Sequence, residues 1–254
     1  MLIEPTAEQL ASAKEVFAKL QAEFETPDNL HLPSFRMNFL TDDGDLWGLP
    51  NLEFDFALSL IHTDVTDAGL KELKTLEYLA GLTLLGTKVT DAGLKTLKHF
   101  KRLRSLEIGH TALTDTGMKQ FKYFSSLNCL YLGRTKLSDV GQKSLTGCKH
   151  LTSRLHETRV TDSGLKHLKD LPNLSYLSLG NLKITDTGAK ELVNLKNLTR
   201  LDLSGTKLTD TGLKELRDLK NLAELTAYRT KITDAGAKAL LKVLPECKIK
   251  KSSD

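Results

Sequence analysis

Leu198-Thr199-Arg200-Leu201-Asp202-Leu203-Ser204-Gly205-Thr206-Lys207-Leu208-Thr209-Asp210-Thr211-Gly212-Leu213-Lys214-Glu215-Leu216 carries two hydrophobic periods in one short span. Leu201 and Leu203 alternate as inward residues of a short strand do, whereas Leu213 and Leu216, three apart, share one face of a helix. Thr209-Asp210 reads as the helix start, because a threonine oxygen accepts an orphan amide hydrogen and a carboxylate suits the positive end of the helix dipole. Gly212 then falls in the first turn. Glycine is poor inside a helix, so its presence there points to a backbone too close to a neighbouring unit for a Cβ.

Outward from this stretch the same pattern recurs. Glycines of a Thr/Ser-Asp-x-Gly signature stand at 69, 93, 117, 141, 164, 188, 212 and 236, spaced by 24 residues except for one step of 23. A degenerate copy, Thr41-Asp42-Asp43-Gly44, precedes the first by 25 residues. A unit this small cannot bury its own leucines, so the units must stack, strands adding to a parallel sheet on one side and helices lining the other. The helical side is wider, which bends the stack. The expected fold is an α/β solenoid, a horseshoe with a concave parallel sheet, convex helices and an N-terminal helical cap.

In these residues the chain resembles the leucine-rich repeat proteins, specifically the bacterial, planctomycete-like 24-residue type with a TDxGLKxL helix. It is also similar to the cysteine-containing repeats of eukaryotic F-box proteins. The ladder position after the strand, often Cys or Asn in that family, is Thr63, Thr87, Thr111, Thr135, Thr158, Thr206 and Thr230 here, with Leu182 the exception. A short hydroxyl at that turn can bond nearby backbone groups.

The period divides the chain into a cap over 1–53, eight repeats over 54–246 and an edge strand with a tail over 247–254. Residues 7–24 read as an amphipathic helix with Leu10, Phe17, Leu20 and Phe24 on one side, opened by a Thr6/Gln9 capping box. Residues 26–56, with Pro27, Pro33, Trp47 and Pro50, read as irregular cap structure. Lysines alternate with apolar residues over 247–251, which blunts a sheet edge against self-association and predicts a monomer. The fifth unit is one residue short, as if a Leu were missing between Ser153 and Arg154, which predicts a bulge or a polar residue facing the core.

Composition narrows the function. Hydrophobic residues make up 40% and charged residues 27%, a globular balance with no apolar run of membrane-spanning length. The formal charge of +4 does not by itself imply nucleic acid. Cys129, Cys148 and Cys247 form no CxxC pair, and the N-terminus lacks a basic segment followed by an apolar stretch, so a reducing, cytoplasmic setting is the expectation.

No linear signature of catalysis is present. The 141–149 segment superficially resembles a phosphate loop but has five residues between its glycines and Cys148 where that loop needs Lys. The seven histidines show no ligand spacing, so neither a metal nor a cofactor is expected, and no catalytic residue is assigned. Sequons at Asn173 and Asn197 fall on the repeat's usual Asn-Leu step.

Strand alternation names the surface instead. Outward positions include Ser105, Glu107, Cys129, Tyr131, Arg154, His156, Tyr176, Ser178, Arg200, Asp202, Glu224 and Tyr228, followed one step later by His62, His110, Arg134, Glu157, Asn181 and Arg229. These columns mix Arg and Glu without Lys; the lysines lie on helix and turn positions such as Lys71, Lys95, Lys166, Lys190 and Lys214, a solvated face rather than a phosphate footprint. Tyr and Arg are the types enriched at interface hot spots. Candidate partner-binding residues are therefore Tyr131, Arg134, Arg154, His156, Tyr176, Arg200, Asp202, Tyr228 and Arg229. Ile61 and Leu85 read as a small apolar site near the N-terminus.

The resemblance implies a non-catalytic protein-interaction module that takes a protein partner, not nucleic acid or membrane, on the concave face. Alternatives are the recognition part of a ligase-like assembly, although no F-box pattern is evident in residues 1–50, and a self-associating scaffold.

Overall fold

A computed structural model describes residues 2–25, 32–148, 152–171 and 173–252, with Thr146, Gly147, Ser153 and Arg154 described by backbone alone. Eleven strands form one sheet in strict chain order: β1 (Glu23–Glu25), β2 (Ser34–Arg36), β3 (Phe56–Ser59), β4 (Leu79–Thr83), β5 (Ser105–Glu107), β6 (Cys129–Tyr131), β7 (Thr152–Arg154), β8 (Tyr176–Ser178), β9 (Arg200–Asp202), β10 (Glu224–Ala227) and β11 (Lys248–Lys251). All neighbours from β2 to β11 pair in parallel, and β1 pairs antiparallel with β2. Each β3-to-β10 strand is followed by a short helix, α2 (Gly69–Glu72) through α9 (Asp234–Leu241), and six of these eight helices tighten into a 3₁₀ turn before the next strand. Inward leucines align across the sheet, Leu106, Leu130, Leu177, Leu201 and Leu225 being at most 1% exposed.

Two polar columns run beside that core. Threonine hydroxyls at 63, 87, 111, 135, 158, 206 and 230 each donate to the carbonyl three residues earlier, at 2.7 to 2.8 Å. Leu182 fills the same place as a buried apolar residue. The second column joins units. Asp91, first residue of α3 (Asp91–Leu97), accepts from the Thr114 amide at 2.8 Å and the Thr114 hydroxyl at 2.5 Å, and Thr114 in turn caps α4 (Asp115–Met118). The arrangement repeats from Asp43 with Thr66 to Asp210 with Thr233. Burial pushes the Asp43 and Asp186 carboxyls up, but the hydroxyl and amide donors outweigh it and hold both below the usual carboxylate range. The signature glycine is explained by the same aspartate: a Cβ at Gly93 or Gly212 would collide with Oδ1 of Asp67 or Asp186. The crowding group is thus mainly a side chain of the preceding unit, not its backbone alone.

The cap departs from expectation. α1 spans Ala7–Lys19, with the Thr6/Gln9 capping box formed, but it stops before Phe24, which lies in β1. Both aromatic residues nonetheless reach the same ring: Phe17 stacks on Phe35 with centroids 4.0 Å apart, and Phe24 meets Phe35 edge to face from the strand at 5.7 Å. The 26–56 region is not wholly irregular, because Ser34–Arg36 continues the parallel sheet and Gly44–Leu46 forms a 3₁₀ turn; residues 26–31 lie outside the described residues. Asp55, buried at the start of β3, fastens the N-terminal segment. It accepts from the Ile3 amide at 2.7 Å and from Arg102 at 2.5 and 2.8 Å.

Among the described residues the fifth unit shows no bulge. β7 pairs in register with both neighbours, Leu130 opposite Ser153 and Ser153 opposite Leu177. By register Ser153 stands in the inward leucine column and the missing residue lies upstream of Thr152, correcting its expected place between Ser153 and Arg154. The sheet's register shift falls elsewhere, between Phe56 and Ala57 in β3. Gln142 in α5 (Asp139–Gln142) is a polar residue in the core: it is 1% exposed and neither carboxamide atom has a hydrogen-bond partner.

Candidate functional site

The outward face of the sheet is built by strand alternation, and glycines let large side chains lie flat on it. Tyr131 on β6 lies across Gly109, and His156, just beyond β7, lies across Gly133, where an added Cβ would stand 2.7 Å from Nε2. The two side chains meet. Tyr131 Oη is 3.0 Å from His156 Nε2, with the rings edge to face at 5.2 Å.

A second contact joins β8 to β9, where the Arg200 guanidinium lies 5.2 Å from the Tyr176 ring centre. Beside it the Ser178 hydroxyl donates to Asp202 Oδ2 at 3.0 Å, while Asp202 Oδ1 accepts from the Ser204 amide at 3.0 Å. His156, Tyr176, Ser178, Asp202 and Arg229 are among the walls of a concavity of about 320 Å³.

The next column forms a lip. His62, His110, Arg134, Glu157, Asn181 and Arg229 all have φ between 52° and 59°, a left-handed turn that closes each strand and throws the side chain along the rim. Arg134 reaches His110 at 2.9 Å and Glu157 at 2.7 and 3.1 Å. Asn181 donates to Glu157 at 3.4 Å and accepts from Arg229 at 3.3 Å. The Arg134 guanidinium holds the Glu157 carboxyl below its usual range, and Glu157 in turn raises Arg134.

Of the sequence-named candidates, Tyr131 with His156, Tyr176 with Arg200, and Arg134 with Arg229 through Glu157 and Asn181 are brought together. Arg154 follows Ser153 on β7 opposite Tyr131 and Ser178, and its side chain lies outside the described residues. Tyr228 is exposed, and its amide donates to the Ser204 hydroxyl at 3.3 Å. The residues of β6 to β8 and those of β9 and β10 form one surface, because Tyr176 contacts Arg200 between them. Ser178, Asn181 and Ser204 complete it; all three stand in the outward columns of the sequence, but nothing local named their partners.

One reading changes and one is extended. Ile61 lines a polar concavity of about 230 Å³ with Arg36, Ser59 and Glu107, and Leu85 follows in the neighbouring unit, where its carbonyl accepts from the His62 amide at 2.8 Å. The sheet face does carry lysines, because Lys248 and Lys250 on β11 align with Glu224 and Thr226, and Lys250 bonds Glu224 at 2.6 Å. Among the described residues no group of three or more His, Cys, Asp or Glu is placed to hold a metal ion, and no helix is long and apolar enough to cross a membrane.

The comparisons agree with this architecture. A family model described as Leucine Rich repeat matches residues 194–216. The chain is similar in structure to the crystal structure of an internalin C2 from Listeria monocytogenes, with a TM-score of 0.65 and 26% identity, over 98% of this chain and 95% of that one. No curated protein matches the sequence. The chain has the α/β solenoid fold of leucine-rich repeats. The architecture alone does not select a ligand.

Proposed function

We propose that the protein is a non-catalytic interaction module that takes a protein partner on the concave face of its sheet. The observation that carries this reading is the preorganised surface running from Tyr131 to Arg229. Tyr131 and His156 hold one another, as do Tyr176 and Arg200, while Glu157 and Asn181 tie Arg134 and Arg229 along the rim. Side chains already fixed cost less entropy to dock, and Tyr and Arg supply most hot-spot energy in protein interfaces. The binding set is Tyr131, Arg134, Arg154, His156, Tyr176, Arg200, Asp202, Tyr228 and Arg229. The likeness to an internalin supports a protein ligand. The cations of the rim and of β9 are mostly balanced by Glu157, Asp202 and Glu224, which disfavours a nucleic-acid groove.

The test is a quantitative pull-down from source lysate comparing the native protein with a Tyr131→Ala, Tyr176→Ala, Arg200→Ala variant whose circular dichroism matches the native. Selective loss of a captured protein by the variant is expected. Equal capture by both would move the site off this face.

A further inference from the structure

The two ends of the solenoid carry opposite charge, and the two outer strands are complementary in sequence, side and direction. Among the described residues β1 and β11 are the edges of the sheet. β1 reads Glu23-Phe24-Glu25 and β11 reads Lys248-Ile249-Lys250-Lys251. Register fixes which face each side chain takes. Phe24 aligns through Phe35 with the buried Leu58, and Ile249 aligns with the buried Leu225, so both apolar residues are on the core side. Glu23, Glu25, Lys248 and Lys250 are all on the outward face. The surrounding charge follows the strands: residues 1–25 hold five acidic and two basic side chains, whereas residues 231–252 hold six basic and two acidic.

We propose that this chain associates head to tail with a second copy of itself, the β11 edge of one molecule adding the β1 edge of the next to a continuous sheet. Every strand from β2 to β11 runs the same way and β1 runs opposite, so a second copy continuing the solenoid in the same orientation presents β1 antiparallel to β11. With Phe24 set opposite Ile249, Glu23 faces Lys250 and Glu25 faces Lys248. Opposite charges directly across an antiparallel pair stabilise it, and apolar pairing covers Phe24, which is 37% exposed at the open end. Like edges are repelled: two β11 strands would oppose lysines and two β1 strands glutamates. The lysine pattern that blunts an edge against its own kind therefore selects the heterologous contact, which propagates as an open chain instead of closing a two-fold dimer. This departs from the monomer expected from β11 alone, because β1 becomes visible as a strand only in the structure.

Light scattering and sedimentation velocity of the full chain at low salt, from micromolar to near-millimolar concentration, test it. The mass should rise progressively above the 28.2 kDa of one chain and fall back as salt is added. Lys248→Glu and Glu25→Lys should each weaken association about tenfold, while an equimolar mixture of the two variants recovers it, because each then offers an edge complementary to the other. Lys248→Gln, which adds no like charge within the chain, should weaken it in the same direction and guards against misfolding of the reversed variants. A constant mass of one chain at low salt, association that stops at two, or association unchanged in the variants would each overturn the proposal.

Discussion

Replacing Gln142 by Leu should stabilise the protein, although most core substitutions do the opposite. Gln142 follows the signature glycine in the fourth unit, where the other units place Leu70, Leu94, Met118, Leu165, Ala189, Leu213 and Ala237. Its side chain is buried with both polar atoms unpaired, and an added Cβ at Gly164 of the next unit would stand 2.7 Å from its Oε1. An unsatisfied buried polar group costs roughly 1–3 kcal/mol. Leucine removes two such atoms from a site that accepts Leu and Met in sister units. A net gain of about 2 kcal/mol is therefore expected, and for a domain of this size that corresponds to roughly 4–8 °C in Tm. Stability in a solenoid propagates through neighbouring units, so thermal and urea unfolding should be paired with hydrogen exchange, which should show added protection concentrated around α5 and α6 (Asp162–Leu165). The reciprocal change, Leu165→Gln, should cost about 3–5 kcal/mol, since it loses leucine burial and adds the orphan amide. An unchanged or lowered Tm for Gln142→Leu would refute the reasoning by showing that the carboxamide has a partner in solution.

Gly188→Ala should destabilise the protein by more than about 1 kcal/mol even though alanine is the better helix former, because the new methyl would strike Asp162 Oδ1; a rise in Tm would disprove the crowding argument. The carboxyls of Asp43, Asp55 and Asp186 are held below their ordinary range, so their contribution is fully present above the unfolded-state value of about 3.9 and is lost as pH falls through the folded values. Acid titration monitored by circular dichroism should therefore show a plateau near neutrality and a loss of stability below about pH 4, with a shallower slope in Asp186→Asn. Burial pushes the Cys148 thiol up to about 11, so at pH 8 it should react with a thiol reagent far more slowly than the half-exposed Cys129; equal rates, followed by mass spectrometry, would contradict its burial.

Much of this molecule is legible locally. The alternation of Leu201 with Leu203, the Leu213/Leu216 pair and the Thr-Asp start describe interactions spanning a few residues, so each unit announces its strand, its cap and its helix. Repetition then supplies the rest, since identical units that cannot bury their leucines alone have to stack. The Thr63-to-Thr230 column also falls within this range, because each hydroxyl bonds a carbonyl only three residues back.

What escaped the sequence lies at the next distance. The aspartate read as a helix-dipole partner spends its oxygens on a threonine or serine 22 to 23 residues later, and its Oδ1 is the closest obstacle to a Cβ at the signature glycines. Ser153 was placed by pairing with Leu130 and Leu177, not by counting leucines, and β1 and β2 were hidden because three-residue strands carry too little alternation to be seen without neighbours. The outward columns named Tyr131, His156, Arg134 and Arg229, but which of them touch depended on side-chain direction across adjacent strands and on glycines that leave room for a ring. The repeating unit and the need to stack are written in the chain, because both follow from short-range periodicity and apolar burial. The contacts between units emerge on folding, because those depend on register and side-chain geometry that no single unit contains.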